Sequence, residues 1–537
     1  GPALVVIEDM TGSGKTEAAM VAAHRLMASG QANGLFVALP TMATANAMFD
    51  RLASAYRGLF QPSSHPSLAL AHGRALLDAR FVSVVAPDDG VDTVSVPAER
   101  TDAAEVCCTA WLGSGLGGVP AGGVWAGGGP VGAGGGGPTI DQALMAVLPV
   151  RFATVRQAGL AGKVLLVDEC HGYDPYMQEE MAALLRFHAA MGGSAILLSA
   201  TLTQSVRHKL TAAFRQGLRH EGEERLSCTA YPLVTLVGGA GVDERPCAPR
   251  SGLRRDVTVR RLANEQAVMT EVSDAAGRGA AVAWVRNTVD DVIATAKSLA
   301  QEGMEVTVFH ARFAMVDRLA IERDVLARFG KDGDGAARAG LLVASQVIEQ
   351  SLDLDFDVLF TDLAPMDLII QRVGRLRRHE RHDRPVDREE VCILSPEPVD
   401  DPDPEWLARL LPGTAAVYRD PALLWRTARA LLRAGRIRTP DNIRALIEEA
   451  GDDGVVPAGL MAASDESRGK GWAARGAASR NVLNYATGYA PDGALWERDV
   501  RTPTRLEERP YVAVRLAVIR DGRVWPWAAL REVRDCC

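Results

Sequence analysis

The feature that most limits what this chain can fold into is a short apolar run, Leu4–Ile7, followed by a glycine-rich turn and then a helix-like segment, Glu17–Ser29. The turn is Thr11-Gly12-Ser13-Gly14-Lys15-Thr16. Gly34–Leu39, Val164–Val167 and Ala195–Leu198 repeat the apolar theme and are short enough, and Val/Ile/Leu-rich enough, for parallel strands covered on both faces. Ala43–Tyr56 and Tyr176–Met191 carry helical spacing between them. A strand–helix alternation of this kind predicts a doubly wound α/β domain. It restarts near residue 256, with strands at Ala280–Val285, Glu305–Phe309, Gly340–Ala344, Val358–Thr361 and Glu390–Leu394, and helices at Thr288–Glu302 and Asp317–Arg328.

At roughly 150 residues per domain, 537 residues predict three or four domains. The expected division is a first α/β domain over 1–237, a linker over 238–255 and a second α/β domain over 256–398. A helical linker region over 399–490, including Pro421–Ala434 and Pro440–Ala450, and a partial C-terminal accessory domain over 491–537 complete it. Residues 451–480 are small and polar. Lys+Arg of 59 against Asp+Glu of 67 excludes a histone-like basic binder, though not an enzyme with a local basic groove. The cysteines show no CxxC spacing, so neither a disulfide framework nor a zinc site is expected. With no long apolar span and no signal peptide, the expectation is a soluble, cytoplasmic protein without a membrane partner.

In the first turn, glycines let backbone N–H groups converge on phosphate oxygens, and the helix that follows adds its positive end. Lys15 can reach the β- and γ-phosphates and Thr16 can ligate Mg2+. Asp9 stands where the longer form of this motif has its first glycine. Asp168-Glu169-Cys170-His171 follows a predicted strand. Asp168 there can hold the metal and Glu169 can orient or deprotonate the attacking water. Ser199-Ala200-Thr201 closes the next strand. In the second domain, Gln371–Arg378 has a QxxGRxxR pattern, whose arginines can neutralise charge on a γ-phosphate. Ala344–Asp353 is rich in groups that can contact nucleotide and backbone phosphates.

The order of these elements resembles superfamily 2 helicases, with Pro40-Thr41 and Thr139-Ile140-Asp141-Gln142 in the places of two further motifs. The strings VDECHGYDPYM (167–177), PTIDQALMAVLPV (138–150), WVRNTVDD (284–291) and ASQVIEQSLDLDFDVLFTDLAPMDLIIQRVGRLRRH (344–379) resemble the signature helicase of type I CRISPR systems, closest to the I-E subtype. The resemblance covers about residues 4–395 and implies two tandem RecA-like domains and an ATP- and Mg2+-dependent translocase moving 3′ to 5′ on single-stranded DNA. It further implies recruitment by a crRNA-guided surveillance complex. The implied catalytic residues are Lys15, Asp168, Glu169, Arg375 and Arg378, and the implied ATP contacts are Thr11–Thr16 and Asp353. Thr16 and Asp168 are the implied metal ligands, and Thr41, Thr139, Asp141, Ser199, Thr201, Gln350 and Gln371 the nucleic-acid or coupling residues.

Three departures accompany the resemblance. The family's HD nuclease domain has no counterpart in this chain, and an adenine-reading motif would lie upstream of Leu4. With a strand at its very start, the chain is therefore expected to be a fragment, its nuclease either a missing N-terminus or a separate polypeptide. His379–Asp383 contains an adjacent His-Asp pair but sits among arginines and is expected on a surface or DNA-facing loop. Residues 113–137 are more than half glycine and uncharged, consistent with a frameshifted stretch or with a flexible insertion. Trp525 and Trp527 are expected in an aromatic core. The competing functions are a DExH-type RNA helicase and a nucleic-acid-binding scaffold without turnover.

Overall fold

A computed structural model describes residues 1–39, 67–68, 123–124, 139–150, 153–220, 226–250, 252–333, 335–349, 352–451, 454–484, 503–506, 516–520 and 523–527. The expected helix Ala43–Tyr56, Thr41, Gln350 and all of 113–137 except Gly123–Val124 lie outside them. The chain divides into two compact units. One takes residues up to Asp256 together with Ile437–Glu507, and the other takes Val257–Arg436 and Glu508–Cys537.

The first unit is built on a six-stranded sheet in the order β2-β3-β4-β1-β5-β6. Here β1 is Leu4–Glu8, β2 Gly34–Ala38, β3 Lys163–Val167, β4 Ala195–Ser199, β5 Leu233–Gly238 and β6 Gly241–Pro246. The first four run parallel, and β5 and β6 add an antiparallel edge. Residues 241–246, expected within a linker, are thus a strand of this sheet.

Alternate residues of the parallel strands point to opposite faces. Leu4, Val6, Leu165, Val167 and Leu197 join one apolar core, and Ile7, Val164, Leu166, Ile196 and Leu198 join another. Helix α1 (Lys15–Ala28) covers the second core through Ala19, Met20 and Ala23. Helices α2 (Thr139–Leu144), α3 (Ala153–Leu160), α4 (Pro175–Ala190) and α5 (Gln204–Gly217) cover the first. The caps explain where two of them start. Asp174 accepts from Met177 N at 2.9 Å with Pro175 at the first helical position, and Thr203 accepts from Val206 N at 3.4 Å.

In the second unit six strands run parallel in the order β9-β10-β8-β11-β12-β7. They are β7 Arg255–Leu262, β8 Ala281–Val285, β9 Val306–Phe309, β10 Gly340–Ala344, β11 Val358–Asp362 and β12 Glu390–Leu394. Helices α6 (Glu265–Gly277), α7 (Val289–Gln301), α8 (Met315–Phe329) and α9 (Met366–Val373) connect them. Both units are therefore α/β with parallel-dominated sheets, as tandem RecA-like domains are.

The stretch expected to be a helical linker holds α10 (Pro421–Ala434), α11 (Ile443–Ala450) and α12 (Met461–Asn481). The last falls where the composition is mostly small and polar, apart from the exposed Met461 and Trp472. Helix α12 buries Ser464 and Ala478, so small side chains rather than an apolar stripe seat it. Trp525 and Trp527 are not in a core. Trp525 lies on an exposed hairpin strand, Arg523–Pro526, and the Trp527 indole N–H donates to Asp317 at 3.0 Å. Among the described residues, no helix is long and apolar enough to cross a membrane.

The basic stretch after α9 folds inward. Asp355 is fully buried and ion-paired with Arg338, Arg381 and Arg384, while Asp357 pairs with Arg338 and Arg384 and accepts from Ala281 N at 2.8 Å. His382 and Asp383 are exposed, but Arg381 and Arg384 are not surface charges. Burial alone would raise the Asp355 carboxyl, yet the Arg381 and Arg384 guanidiniums hold it below the usual carboxylate range. Asp355→Ala strips the guanidiniums of their shared counter-ion and should cost about 3–5 kcal/mol, measured by urea unfolding. An unchanged unfolding midpoint would contradict this role for Asp355.

Candidate functional site

The carboxyl ends of parallel strands are where loops can converge without interrupting the sheet's hydrogen bonds. In the first unit, three of the sequence motifs meet there. β1 leads into Thr11–Thr16, β3 into Asp168–His171 and β4 into Ser199–Thr201. Strand pairing fixes their spacing, with Glu8 in register with Ser199 and Asp9 N donating to Ser199 O at 3.1 Å. Asp168 N donates to Ala38 O at 3.0 Å, which seats the acidic motif over β2 and β3.

The glycine-rich turn needs its glycines. Gly12 and Gly14 have φ of 84° and 98°, a region costly for other residues. Gly14 stands at the N-cap of α1, where it places no side chain over the positive end of the helix, which favours an anion. Lys15 is buried, its Nζ donating to Asp9 O at 2.8 Å and Met10 O at 2.9 Å. The two carbonyls hold the ammonium inside the loop without neutralising it. Ser13 Oγ is buried with no hydrogen-bond partner. A cationic nitrogen, an unsatisfied hydroxyl and the positive end of a helix around one turn fit a phosphate chain. Thr16 and the nearly buried Asp168 carboxylate supply the hard oxygen donors that Mg2+ prefers.

Glu169 adopts a left-handed backbone, φ 52° and ψ 44°, rare for a residue with a side chain. Its carboxylate lies 3.4 Å from His171 Nδ1, and that nitrogen is 3.1 Å from Ser199 Oγ. Ser199 Oγ in turn accepts from Thr201 N at 3.2 Å. These contacts bring the proposed water-orienting carboxylate close to the third motif, with His171 hydrogen-bonded to Ser199 while Glu169 Oε2 itself makes no hydrogen bond. Cys170 is buried beside it, its thiol pushed up by burial and the neighbouring carboxylates. Thr201 Oγ1 is buried and unpartnered.

The other expected residues are placed as follows. Thr139 is the first residue of α2. Asp141, in the same helix, is buried, and Arg505 Nε lies 3.5 Å from its carboxylate. In the second unit Gln371 lies on α9, partly exposed. Arg375 is buried and donates to the carbonyls of Ile348 at 3.3 Å and Glu349 at 3.1 Å. Arg378 pairs with Asp353 at 2.7 Å, and His379 Nε2 lies 3.0 Å from the same carboxylate oxygen.

Sequence reasoning missed Arg372, which is fully buried. It binds Glu349 and Thr361 Oγ1, each at 2.7 Å, and Asn287 Oδ1 at 2.8 Å. A signal existed, because Arg372 shares the helical face of Met366, Ile369 and Val373.

The chain is similar to known proteins over most of its length. A family described as "CRISPR-associated nuclease/helicase Cas3, C-terminal" matches residues 278–381. The CRISPR-associated endonuclease/helicase Cas3 of Escherichia coli K12 is 35% identical over 467 residues, covering 84% of this chain and 48% of that protein. The crystal structure of T. fusca Cas3-AMPPNP aligns with a TM-score of 0.75 at 30% identity, covering 94% of this chain and 56% of that one. The chain is thus similar to Cas3 nuclease/helicases over most of its own length. A structure titled "CRISPR RNA-guided surveillance complex, pre-nicking" also aligns, with a TM-score of 0.67 at 29% identity over 90% of this chain and 52% of that one. The chain spans about half the length of the relatives it matches.

One buried acid near the site titrates far from its ordinary value. Burial, reinforced by Asp141 and Asp174, pushes the Glu180 carboxyl up to about 9 from 4.5. The native state then binds a proton that the unfolded chain releases near pH 4.5. Stability from this group is full below that pH and lost as pH rises through about 9. Thermal midpoints should therefore fall between these pH values, and Glu180→Gln should flatten the slope. An equally steep slope in the variant would remove Glu180 as its source.

Proposed function

We propose that this chain is the motor portion of a type I CRISPR interference enzyme, hydrolysing ATP to move 3′ to 5′ along single-stranded DNA. Its target DNA would be cut by an HD nuclease domain, and a crRNA-guided surveillance complex would recruit it. The observation that carries the proposal is the convergence of Lys15, Asp168-Glu169 and Ser199-Thr201 at the carboxyl ends of three strands of one sheet. The names of the relatives and the AMPPNP in the aligned T. fusca structure support it.

In the proposed mechanism Lys15 exchanges the Asp9 and Met10 carbonyls for phosphate oxygens, with Thr11–Thr16 amides cradling the rest. Thr16 and Asp168 would hold Mg2+, which supplies charge neutralisation on the phosphates when bound. Glu169 orients the attacking water and receives its proton. His171, 3.4 Å from Glu169 and hydrogen-bonded to Ser199, is the group through which a change at that carboxylate would reach the third motif. Arg375 and Arg378 are the proposed arginines for γ-phosphate charge, which requires them to leave the Ile348 and Glu349 carbonyls and Asp353. Asp353, the proposed nucleotide contact of this unit, then keeps His379 Nε2 as a partner. Thr41, Thr139, Asp141, Gln350 and Gln371 are the proposed nucleic-acid and coupling residues. DNA grip through phosphates should weaken with salt and show little base preference.

The test is steady-state ATP hydrolysis with and without single-stranded DNA or RNA. DNA should stimulate more than RNA. Lys15→Ala should lower kcat/KM roughly a hundredfold or more, whereas Glu169→Gln should lower kcat by about 10²–10⁴ while retaining nucleotide binding. Stronger stimulation by RNA would reject the DNA assignment. A wild-type chain without stimulated hydrolysis, unaltered by Lys15→Ala, would leave a nucleic-acid-binding scaffold.

A further inference from the structure

Glu8, the last residue of β1, carries a carboxylate with essentially no exposure to water immediately before the phosphate-binding turn. Each of its oxygens is taken by a different arginine. Oε2 accepts from Arg207 Nη1 of α5 at 2.8 Å, and Oε1 accepts from Arg444 Nη2 of α11 at 2.6 Å. Arg207 also donates to the Cys228 carbonyl at 2.8 Å and pairs with Glu244 at 3.3 Å, so it is anchored independently.

Arg444 has a different second partner. Its Nη1 donates to the Leu202 carbonyl at 2.6 Å, one residue past Ser199-Ala200-Thr201. The same helix sends Glu448 to accept from Gln204 N at 2.8 Å, and the guanidinium lies over the Tyr231 ring, whose hydroxyl donates to Ala200 O at 2.8 Å. The turn at 200–204 is therefore held by α11 at two points and by Tyr231 at a third. One planar guanidinium spans the base of the phosphate loop and the far side of the third motif, a geometry that lysine, a point charge, reproduces at only one end. The chain re-enters this unit at Ile437, and α11 is the first helix after that point.

We propose that Arg444 is a positioning residue for the ATPase cycle, setting the phosphate loop and the Ser199–Thr201 turn against one another through Glu8 and the Leu202 carbonyl. It touches neither nucleotide nor metal. Resting on the ATPase assignment made above, the proposal adds a control point in sequence far from every helicase motif. Helix α11 thereby reaches both loops through one side chain.

The experiment uses the full chain as wild type, Arg444→Gln and Arg444→Lys. It measures DNA-stimulated ATP hydrolysis, equilibrium binding of a fluorescent ATP analogue, and amide hydrogen exchange over 10–16 and 200–204. Folding of each variant is checked by circular dichroism. For Arg444→Gln, the expected result is roughly a tenfold or greater loss of DNA stimulation, weaker analogue binding and faster exchange in both loops together. Arg444→Lys, which keeps the Glu8 pair, should bind the analogue nearly as wild type but lose stimulation and protect 200–204 less. Should Arg444→Gln not fold, Arg444→Lys decides. A folded variant with unchanged stimulation and exchange overturns the proposal, as does faster exchange confined to 200–204 in Arg444→Gln. If the wild type shows no stimulated hydrolysis, the ATPase assignment fails, and the exchange data still decide whether Arg444 couples the loops.

Discussion

A parallel sheet covered on both faces allows no charge along its strands, and so exports its chemistry to the strand ends. The first sheet obeys this with little slack. Apart from Lys163 at the start of β3, strands β1, β3 and β4 are apolar until their carboxyl ends, where each gives way to charged or hydroxyl residues. Strand register then does what a flexible loop could not, fixing how far Lys15 stands from Asp168 and Ser199 from Glu8. The site's geometry is a by-product of backbone hydrogen bonding in the sheet beneath it.

Charges that do enter the interior are met by partners of fixed shape. Glu8 is shared by two arginines, Asp355 by three, and Arg372 is enclosed by Glu349, Thr361 and Asn287. Arginine dominates because its planar fork satisfies two acceptors at once where a lysine satisfies them as a point. Several arginines that look like a basic nucleic-acid face in the sequence are thus consumed inside the second unit. The net charge of −8 therefore says little about where positive charge is available.

Strands, helices and the phosphate-binding turn were legible because each rests on local patterning. Gly340–Ala344 and Pro421–Ala434 fall at the expected residues, and most other ends move by one or two. Helix α12 was not legible, since a helix seated by Ser464 and Ala478 shows no apolar period. Nor was the Glu8–Arg444 pair, whose partners stand 436 residues apart and carry no motif. The placement of Lys15, Asp168 and Glu169 beyond the strand ends was visible because spacing and strand context coincide. Asp141 was visible as a motif residue, but its ion pair with Arg505 follows from tertiary structure alone.

Glu169 stands in a backbone conformation that glycine would adopt without penalty and that costs a residue with a Cβ about 1–3 kcal/mol. The chain nevertheless places a carboxylate there. A glycine at that position would relieve the backbone and remove the carboxylate proposed to orient the attacking water. On that proposal, stability and turnover pull in opposite directions at this one residue.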